Sequence, residues 1–197
     1  MKEDVSTAKI VDIVNAVKFK LKNMTIKVLE KTPGCMPAII DKGDWCDLYT
    51  AEEISLCGPT VTGKYNRKGE QREYTRKILF DSALISLGVC IEVPKGCESI
   101  LVPRSSTFKK YGVMQTNSAG IIDMTYSSDK DIWKMPVIAT REITIPKGTR
   151  IAQFKVQLSQ KATIWQKIKW LFSSSIKIKQ VDSLDNPERQ GFGSTGN

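Results

Sequence analysis

The sequence predicts an all-β fold, on three observations. From Thr25 onward, short β-branched runs recur, each closed by Pro/Gly punctuation. Examples are Ile26-Lys27-Val28-Leu29, Ile91-Glu92-Val93 ahead of Pro94-Lys95-Gly96, and Ile143-Thr144-Ile145 ahead of Pro146-Lys147-Gly148. Many short strands with turn signals between them belong to a barrel or sandwich. Apolar residues at 41% of 197 can fill one core, and charged residues at 26% are ordinary. Finally, the longest apolar runs are far too short to cross a bilayer.

Taken in order, residues 1–24 read as a helical extension. Val5, Ala8, Val11, Val14, Val17 and Leu21 keep a roughly helical rhythm behind an Asp4-x-Ser6-Thr7 start that can cap it. The extreme N-terminus lacks the apolar stretch of a signal peptide, which points to the cytoplasm. Residues 25–185 form the β domain, with two interruptions. Residues 58–77 are polar and cation-rich and read as an exposed hairpin or loop. Residues 161–172, followed by Ser173-Ser174-Ser175, read as an amphipathic cationic helix. Packing on its own sheet is the expectation there, ahead of docking to a membrane or partner. Residues 186–197 cannot build a core and read as a flexible tail.

Histidine is absent. That removes Ser-His-Asp hydrolysis, Cys-His nucleophiles and HExxH zinc sites, and leaves a carboxylate, lysine, tyrosine or water as base. A hard cation with oxygen ligands is then the natural electrophile. The five cysteines (Cys35, Cys46, Cys57, Cys90, Cys97) include no CxxC pair and are expected to be reduced, mostly buried thiols. The formal charge of +9 suits a polyphosphate substrate or simply a solvated surface. No stable nucleic-acid or membrane binding is expected.

Chemistry gathers in five blocks. The first is Asp44-Trp45-Cys46-Asp47-Leu48-Tyr49, an acidic pair by a turn. The second, Val102-Pro103-Arg104-Ser105-Ser106, sets a cation beside two hydroxyls at a strand end. The third is Asn117-Ser118-Ala119-Gly120-Ile121-Ile122-Asp123-Met124-Thr125-Tyr126, and the fourth is Gly148-Thr149-Arg150-Ile151-Ala152-Gln153. The tail supplies the fifth, where Arg189, Phe192, Ser194 and Thr195 stand among three glycines. Gly beside Ser/Thr lets backbone N–H groups curl around phosphate, arginine adds a planar charged fork, and phenylalanine offers a face for a base.

Together and in this order the blocks resemble the five motifs of the homotrimeric dUTP pyrophosphatases (dUTPases), from about Thr25 to the C-terminus. The resemblance implies a jelly-roll-like β domain, three chains sharing each active site, Mg²⁺ as cofactor, and hydrolysis of dUTP to dUMP and pyrophosphate. It makes Asp123 the group that holds and deprotonates the attacking water. It makes the third block a β-hairpin whose backbone reads uracil, with Asn117, Gly120 and Ile121 at the base and Tyr126 excluding a 2′-hydroxyl. Arg104, Ser105, the Ser106 backbone and Gln153 would grip the phosphates. Asp47 would face Mg²⁺ through water rather than as a direct ligand. Phe192 of another subunit would stack on the uracil while Arg189, Ser194 and Thr195 close over the phosphates.

The chain departs from the family pattern at Ser106, at Trp45-Cys46, at Ser127-Ser128-Asp129, and in setting Arg189 only three residues before Phe192. dCTP deaminases, which share the fold, use a Glu on the strand after the third block, and residues 132–140 contain no carboxylate. A binding protein on the same scaffold is the other alternative, with 58–77 and the basic helix as its surfaces.

Overall fold

The computed structural model describes residues 24–39, 43–68, 71–173 and 175–189, with backbone alone over 65–68 and 71–74. The expected N-terminal helix and the tail residues Phe192, Ser194 and Thr195 lie outside the described residues. What is described is mostly β, with two short helices. In chain order the elements are β1 (Met24–Glu30), β2 (Ala38–Ile39), β3 (Cys46–Tyr49), β4 (Ile54–Leu56), β5 (Thr60–Lys68), β6 (Gln71–Leu79), β7 (Ser82–Ser86), β8 (Val89–Glu92) and β9 (Cys97–Pro103). Then follow α1 (Thr107–Tyr111), β10 (Val113–Gln115), β11 (Gly120–Asp123), β12 (Lys134–Ala139), β13 (Ile143–Ile145), β14 (Arg150–Leu158), α2 (Ile164–Leu171) and β15 (Ile176–Gln180).

The largest sheet has the order β11-β9-β14-β3-β2, and smaller sheets run β15-β1-β8, β10-β12-β7 and β13-β4. Strand chemistry sets the faces. In β12 the buried residues are Met135, Val137 and Ala139, alternating with half-exposed neighbours, as a sheet covered on one side requires. β9 buries Cys97, Ser99 and Leu101 in the same way. Trp133 and Phe154, both fully buried, meet edge to face at 5.1 Å between ring centres. Deleting either ring would cost about 3–5 kcal/mol. Cys35, Cys46, Cys90 and Cys97 are buried free thiols, and Cys57 is exposed. Burial pushes the Cys46 and Cys97 thiols up to about 11 and that of Cys90 to about 12, so they stay protonated.

The expected exposed hairpin is present as β5 and β6, a two-stranded ribbon paired only with itself. The expected helix is α2, closed at its start by a reciprocal capping box between Thr163 and Gln166. It packs on the body, as the sequence leads one to expect, but only slightly. α2 buries no residue of its own and leans on the body chiefly through half-buried Trp170. Ile164, Trp165 and Leu171 point outward, the last two 76% exposed. A helical pattern fixes which residues share a stripe, but not which stripe meets the sheet. Among the described residues, no helix is long and apolar enough to cross a membrane.

Candidate active site

The first four blocks converge on the largest sheet. Its register sets Asp47 of β3 opposite Gln153 of β14, and Gln153 opposite Val102 of β9. In the next row stand Cys46, Phe154, Leu101 and Gly120. Asp47 therefore lies within a strand rather than by a turn, and it is 2% exposed. A buried carboxylate requires partners, and two arginines supply them. Arg104 Nε lies 2.9 Å from Asp47 Oδ1, and Arg150 Nη1 lies 3.4 Å from Oδ2.

Both arginines are aimed by local structure. Arg104 follows directly on β9, where its N–H donates to Ile151 O at 3.3 Å and its own carbonyl accepts from Thr107 N at 2.9 Å. The Thr107 hydroxyl donates to Ile151 O at 2.7 Å, tying the start of α1 to β14. Arg150 sits at a bulge, where β14 slips register against β3 between Arg150 and Ala152. Such an irregularity re-aims one side chain out of strict alternation. One carboxylate thus balances two guanidiniums, and the cluster retains net positive charge. Ser106 precedes α1 without a side-chain cap bond.

A cleft of about 440 Å³ opens beside this cluster, lined by Arg104, Ser105, Phe108, Gln115 and Ser118 among others. It joins the second block to the turn of the third. That turn is not a hairpin: β10 pairs with β12, whereas β11 pairs with β9, so residues 116–119 cross between two sheets. Gln115 Nε2 donates to Asn117 Oδ1 at 2.7 Å and to Leu101 O at 3.2 Å, holding the turn. Gln115 Oε1 is buried without a hydrogen-bond partner. A Cβ at Gly120 would meet Leu101 Cβ at 3.4 Å and Asn117 Nδ2 at 3.7 Å, ordinary contacts at an unremarkable backbone conformation. The fold itself therefore tolerates a side chain at Gly120.

Asp123 ends β11 at the other end of the sheet, opposite Glu98 and four rows from Gln153 and Val102. At about 3.3 Å per residue and 4.8 Å per strand, that separation is on the order of 13 Å along the sheet and 10 Å across it. Asp123 Oδ1 accepts from Thr125 N at 2.9 Å and from Thr125 Oγ1 at 2.5 Å, and Oδ2 is paired with Arg189. Burial pushes the Asp123 carboxyl up, but the two Thr125 bonds and the Arg189 guanidinium outweigh it and hold the group below its ordinary range. Ile121, one strand position after Gly120, is exposed. Tyr126 is half-buried, with its hydroxyl donating to Ile132 O at 3.1 Å. Burial raises its phenol, which keeps it neutral.

The structure thus brings Asp47, Arg104, Ser105 and Gln153 together, gathers Asp123, Tyr126 and Arg189 elsewhere, and leaves Asn117 and Gly120 on the turn beside the first cluster. Sequence reasoning gave no role to Arg150 or Thr125, although both lie inside quoted blocks. It also missed Gln115, for which periodicity offered no signal. Among the described residues, no cluster of three or more His, Cys, Asp or Glu could hold a metal ion.

Comparison with known proteins bears on the family and the fold. The dUTPase family model matches residues 70–196. The SPbeta prophage-derived deoxyuridine 5'-triphosphate nucleotidohydrolase YosS of Bacillus subtilis is 36% identical over 171 residues, covering 87% of this chain and 96% of YosS. Among solved structures, the Staphylococcus bacteriophage 80alpha dUTPase superposes with a TM-score of 0.51 at 18% identity, over 71% of this chain and 93% of that one. The dUTPase of phage phi11 of S. aureus, described with a structural Mg(II) ion, gives the same TM-score at 15% identity over 71% of this chain and 94% of that one. At such identities the superpositions speak to fold alone. The family match and the near full-length relative carry the conclusion, and the chain belongs to the dUTPase family.

Proposed function

We propose that this chain is a dUTP diphosphatase, hydrolysing dUTP to dUMP and pyrophosphate and so keeping uracil out of DNA. One observation supports the chemistry above the others. An ionised carboxylate, Asp123, stands at the end of β11, and a separate, net-positive cluster of Asp47, Arg104 and Arg150 stands beside Gln153. Asp123 orients a water for in-line attack on the α-phosphorus and accepts its proton. A carboxylate held below its usual range is a weak base, so positioning and charge neutralisation must supply most of the acceleration. Arg104, Ser105, the Ser106 backbone and Gln153 hold the phosphates, and Arg189, Ser194 and Thr195 close over them. Asn117, Gly120 and Ile121 face the base. Because the fold tolerates a Cβ at Gly120, the glycine is explained by the close approach of a ligand. Tyr126 underlies the deoxyribose, and Phe192 stacks on the uracil.

The separation within the sheet bears on assembly. A triphosphate anchored at Arg104 and Gln153 does not extend to the Asp123 of the same chain. A site combining both halves is met by two chains, as in a homotrimer with shared active sites. We read residues 25–185 as one jelly-roll-like domain with insertions near 58–77 and 161–175, preceded by a helical extension (1–24) and followed by the tail (186–197). The buried thiols suit a reducing compartment such as the cytoplasm.

Among the described residues, no cluster of carboxylates forms a direct ligand set for Mg²⁺. Asp47, the described carboxylate beside the phosphate residues, is engaged by two guanidiniums and fits a contact through water rather than direct ligation. When bound to the phosphate oxygens, Mg²⁺ supplies charge neutralisation there.

The test is incubation with dUTP, UTP or dCTP plus Mg²⁺, measuring pyrophosphate and ammonia separately. dUTP alone should yield pyrophosphate, and no nucleotide should yield ammonia. Asp123→Asn should keep the fold and lose at least about a hundredfold in turnover, the scale of lost acid–base catalysis. Light scattering should report about three times the 22.1 kDa chain. Near-normal turnover in Asp123→Asn refutes the mechanism, and an active monomer refutes the shared site.

A further inference from the structure

Gln115 ends β10 in one sheet, and its amide reaches across the 116–119 crossover into another. Its Nε2 donates to Leu101 O on β9, the residue paired with Gly120, and to Asn117 Oδ1. A backbone carbonyl can only accept, so the nitrogen end of the Gln115 amide is the end that faces Leu101. Turning that amide over would set two acceptors against each other. The second hydrogen of the same nitrogen then requires an acceptor at 2.7 Å, and Asn117 must present its oxygen there. This fixes Asn117 with Nδ2 on its other side, 3.7 Å from the position a Cβ at Gly120 would take. Among the described residues, Nδ2 finds no acceptor. The backbone is held as firmly. Ser118 takes a left-handed φ of 56°, and Ala119 N donates to Asn117 O at 2.5 Å. A residue other than glycine is strained there and persists only where its surroundings over-determine it. The arrangement also leaves Gln115 Oε1 buried without a partner. A methionine of equal length would fill the space without that orphan, so the buried amide is explained by what its nitrogen does.

We infer that Gln115 is a specificity-determining positioning residue, which locks the Asn117 amide with its donor toward the base and so admits uracil and rejects cytosine. This rests on the dUTPase reading, which puts the base beside Asn117 and Gly120. The two bases differ at one edge. Uracil carries a carbonyl oxygen at position 4, which accepts, and cytosine carries an amino group there, which donates. A free asparagine amide serves either base, because half a turn about its last bond exchanges oxygen for nitrogen. Gln115 removes that choice. With Nδ2 held toward the base, the uracil oxygen gains a bond. The cytosine amino group meets donor against donor and gives up its water without a replacement. Selection against dCTP is thus set from β10, by a residue that acts through Asn117.

The experiment is calorimetric titration of the full chain with the α,β-imido analogues of dUTP and dCTP, each with Mg²⁺. Its readout is the ratio of the two affinities. Gln115→Met should lower the preference for the uracil analogue about tenfold or more, the scale of one well-placed base contact. Gln115→Glu has no hydrogen to donate, so it should turn Asn117 over and lower the preference further. Asn117→Asp presents an acceptor whichever way it turns. Adding Gln115→Met to it should leave the ratio within about twofold of Asn117→Asp alone, because the lock has nothing left to choose. A Gln115 that merely braces the turn would weaken both analogues alike. A ratio within about twofold of wild type in Gln115→Met or Gln115→Glu therefore overturns the inference, whatever happens to Tm. Where neither of those variants folds, Asn117→Asp decides: a lowered ratio supports the lock, and an unchanged one leaves Gln115 no selective amide to orient. Failure of the dUTPase reading is separable. It appears as a wild-type chain that binds neither analogue and releases no pyrophosphate from dUTP, whereas failure of this inference alone leaves the uracil analogue preferred in every variant.

Discussion

Replacing Asp47 with asparagine keeps shape and removes one negative charge from a site that is 2% exposed. Two guanidiniums lose their partner. Arg104 is 22% exposed, so its charge becomes largely uncompensated, whereas Arg150 is 49% exposed and recovers much of its hydration. Breaking a buried pair by removing one member costs about 3–5 kcal/mol, and an exposed pair is worth at most about 1. Asparagine can still accept one hydrogen bond, which places the loss at about 2–4 kcal/mol. For a chain of this size each kcal/mol moves Tm by about 2–4 °C, so thermal unfolding of the nucleotide-free protein should fall by roughly 4–16 °C. Because Arg104 loses the group that orients it, KM for dUTP should rise about tenfold or more, the scale of a lost charge-assisted contact. Calorimetry without Mg²⁺ or nucleotide, paired with steady-state kinetics, checks both numbers. A role confined to a water on Mg²⁺ would leave the melting of the free protein unchanged. An Asp47→Asn protein that melts within about 1 °C of wild type, with unaltered KM, refutes the claim that Asp47 holds Arg104.

In the proposed mechanism protonating Asp123 would disable it as a base, and its folded carboxyl is held below the ordinary range. The acid limb of turnover should therefore fall below the usual aspartate value of about 3.9, and Arg189→Ala should move it upward. The same depression makes the charged Asp123 stabilising above its unfolded pKa, a contribution lost as pH falls through the folded value. An acid limb unchanged by Arg189→Ala removes the guanidinium from that account. Replacing the β5–β6 ribbon with a short Gly/Ser link should leave dUTP hydrolysis largely intact, since the ribbon pairs only with itself and loop length costs little; loss of the oligomer on that replacement would show the ribbon to be structural. Thiol titration of the native protein at neutral pH should find one fast group per chain, Cys57, with the four buried thiols reacting only on unfolding. Two or more fast thiols would contradict the burial described here.

The order and spacing of residues determined a good deal by themselves. Alternation of β-branched residues with turn signals specified strands such as β1, β8 and β13, because period two and punctuation are local properties of the chain. The absence of histidine limited the chemistry before any coordinate was known. The five blocks nominated the side chains proposed to act, since the residue types a reaction needs are written in sequence. Tertiary structure alone decided which of them meet. The partners of Asp47 lie 57 and 103 positions away in Arg104 and Arg150, and only strand pairing across β3, β14 and β9 brings them to one carboxylate. The sequence marked α2 as amphipathic, yet which side meets the body is a property of the surface beneath, which here accepts Trp170 and leaves Trp165 in solvent. The Ser127-Ser128-Asp129 loop read only as a departure from a pattern, because Asp129 accepts from Ser183 Oγ and Leu184 N more than fifty positions downstream, and such a partner has no local signature. Long-range register and side-chain geometry are collective outcomes of packing, and they separate Asp123 from the arginine cluster within a single chain.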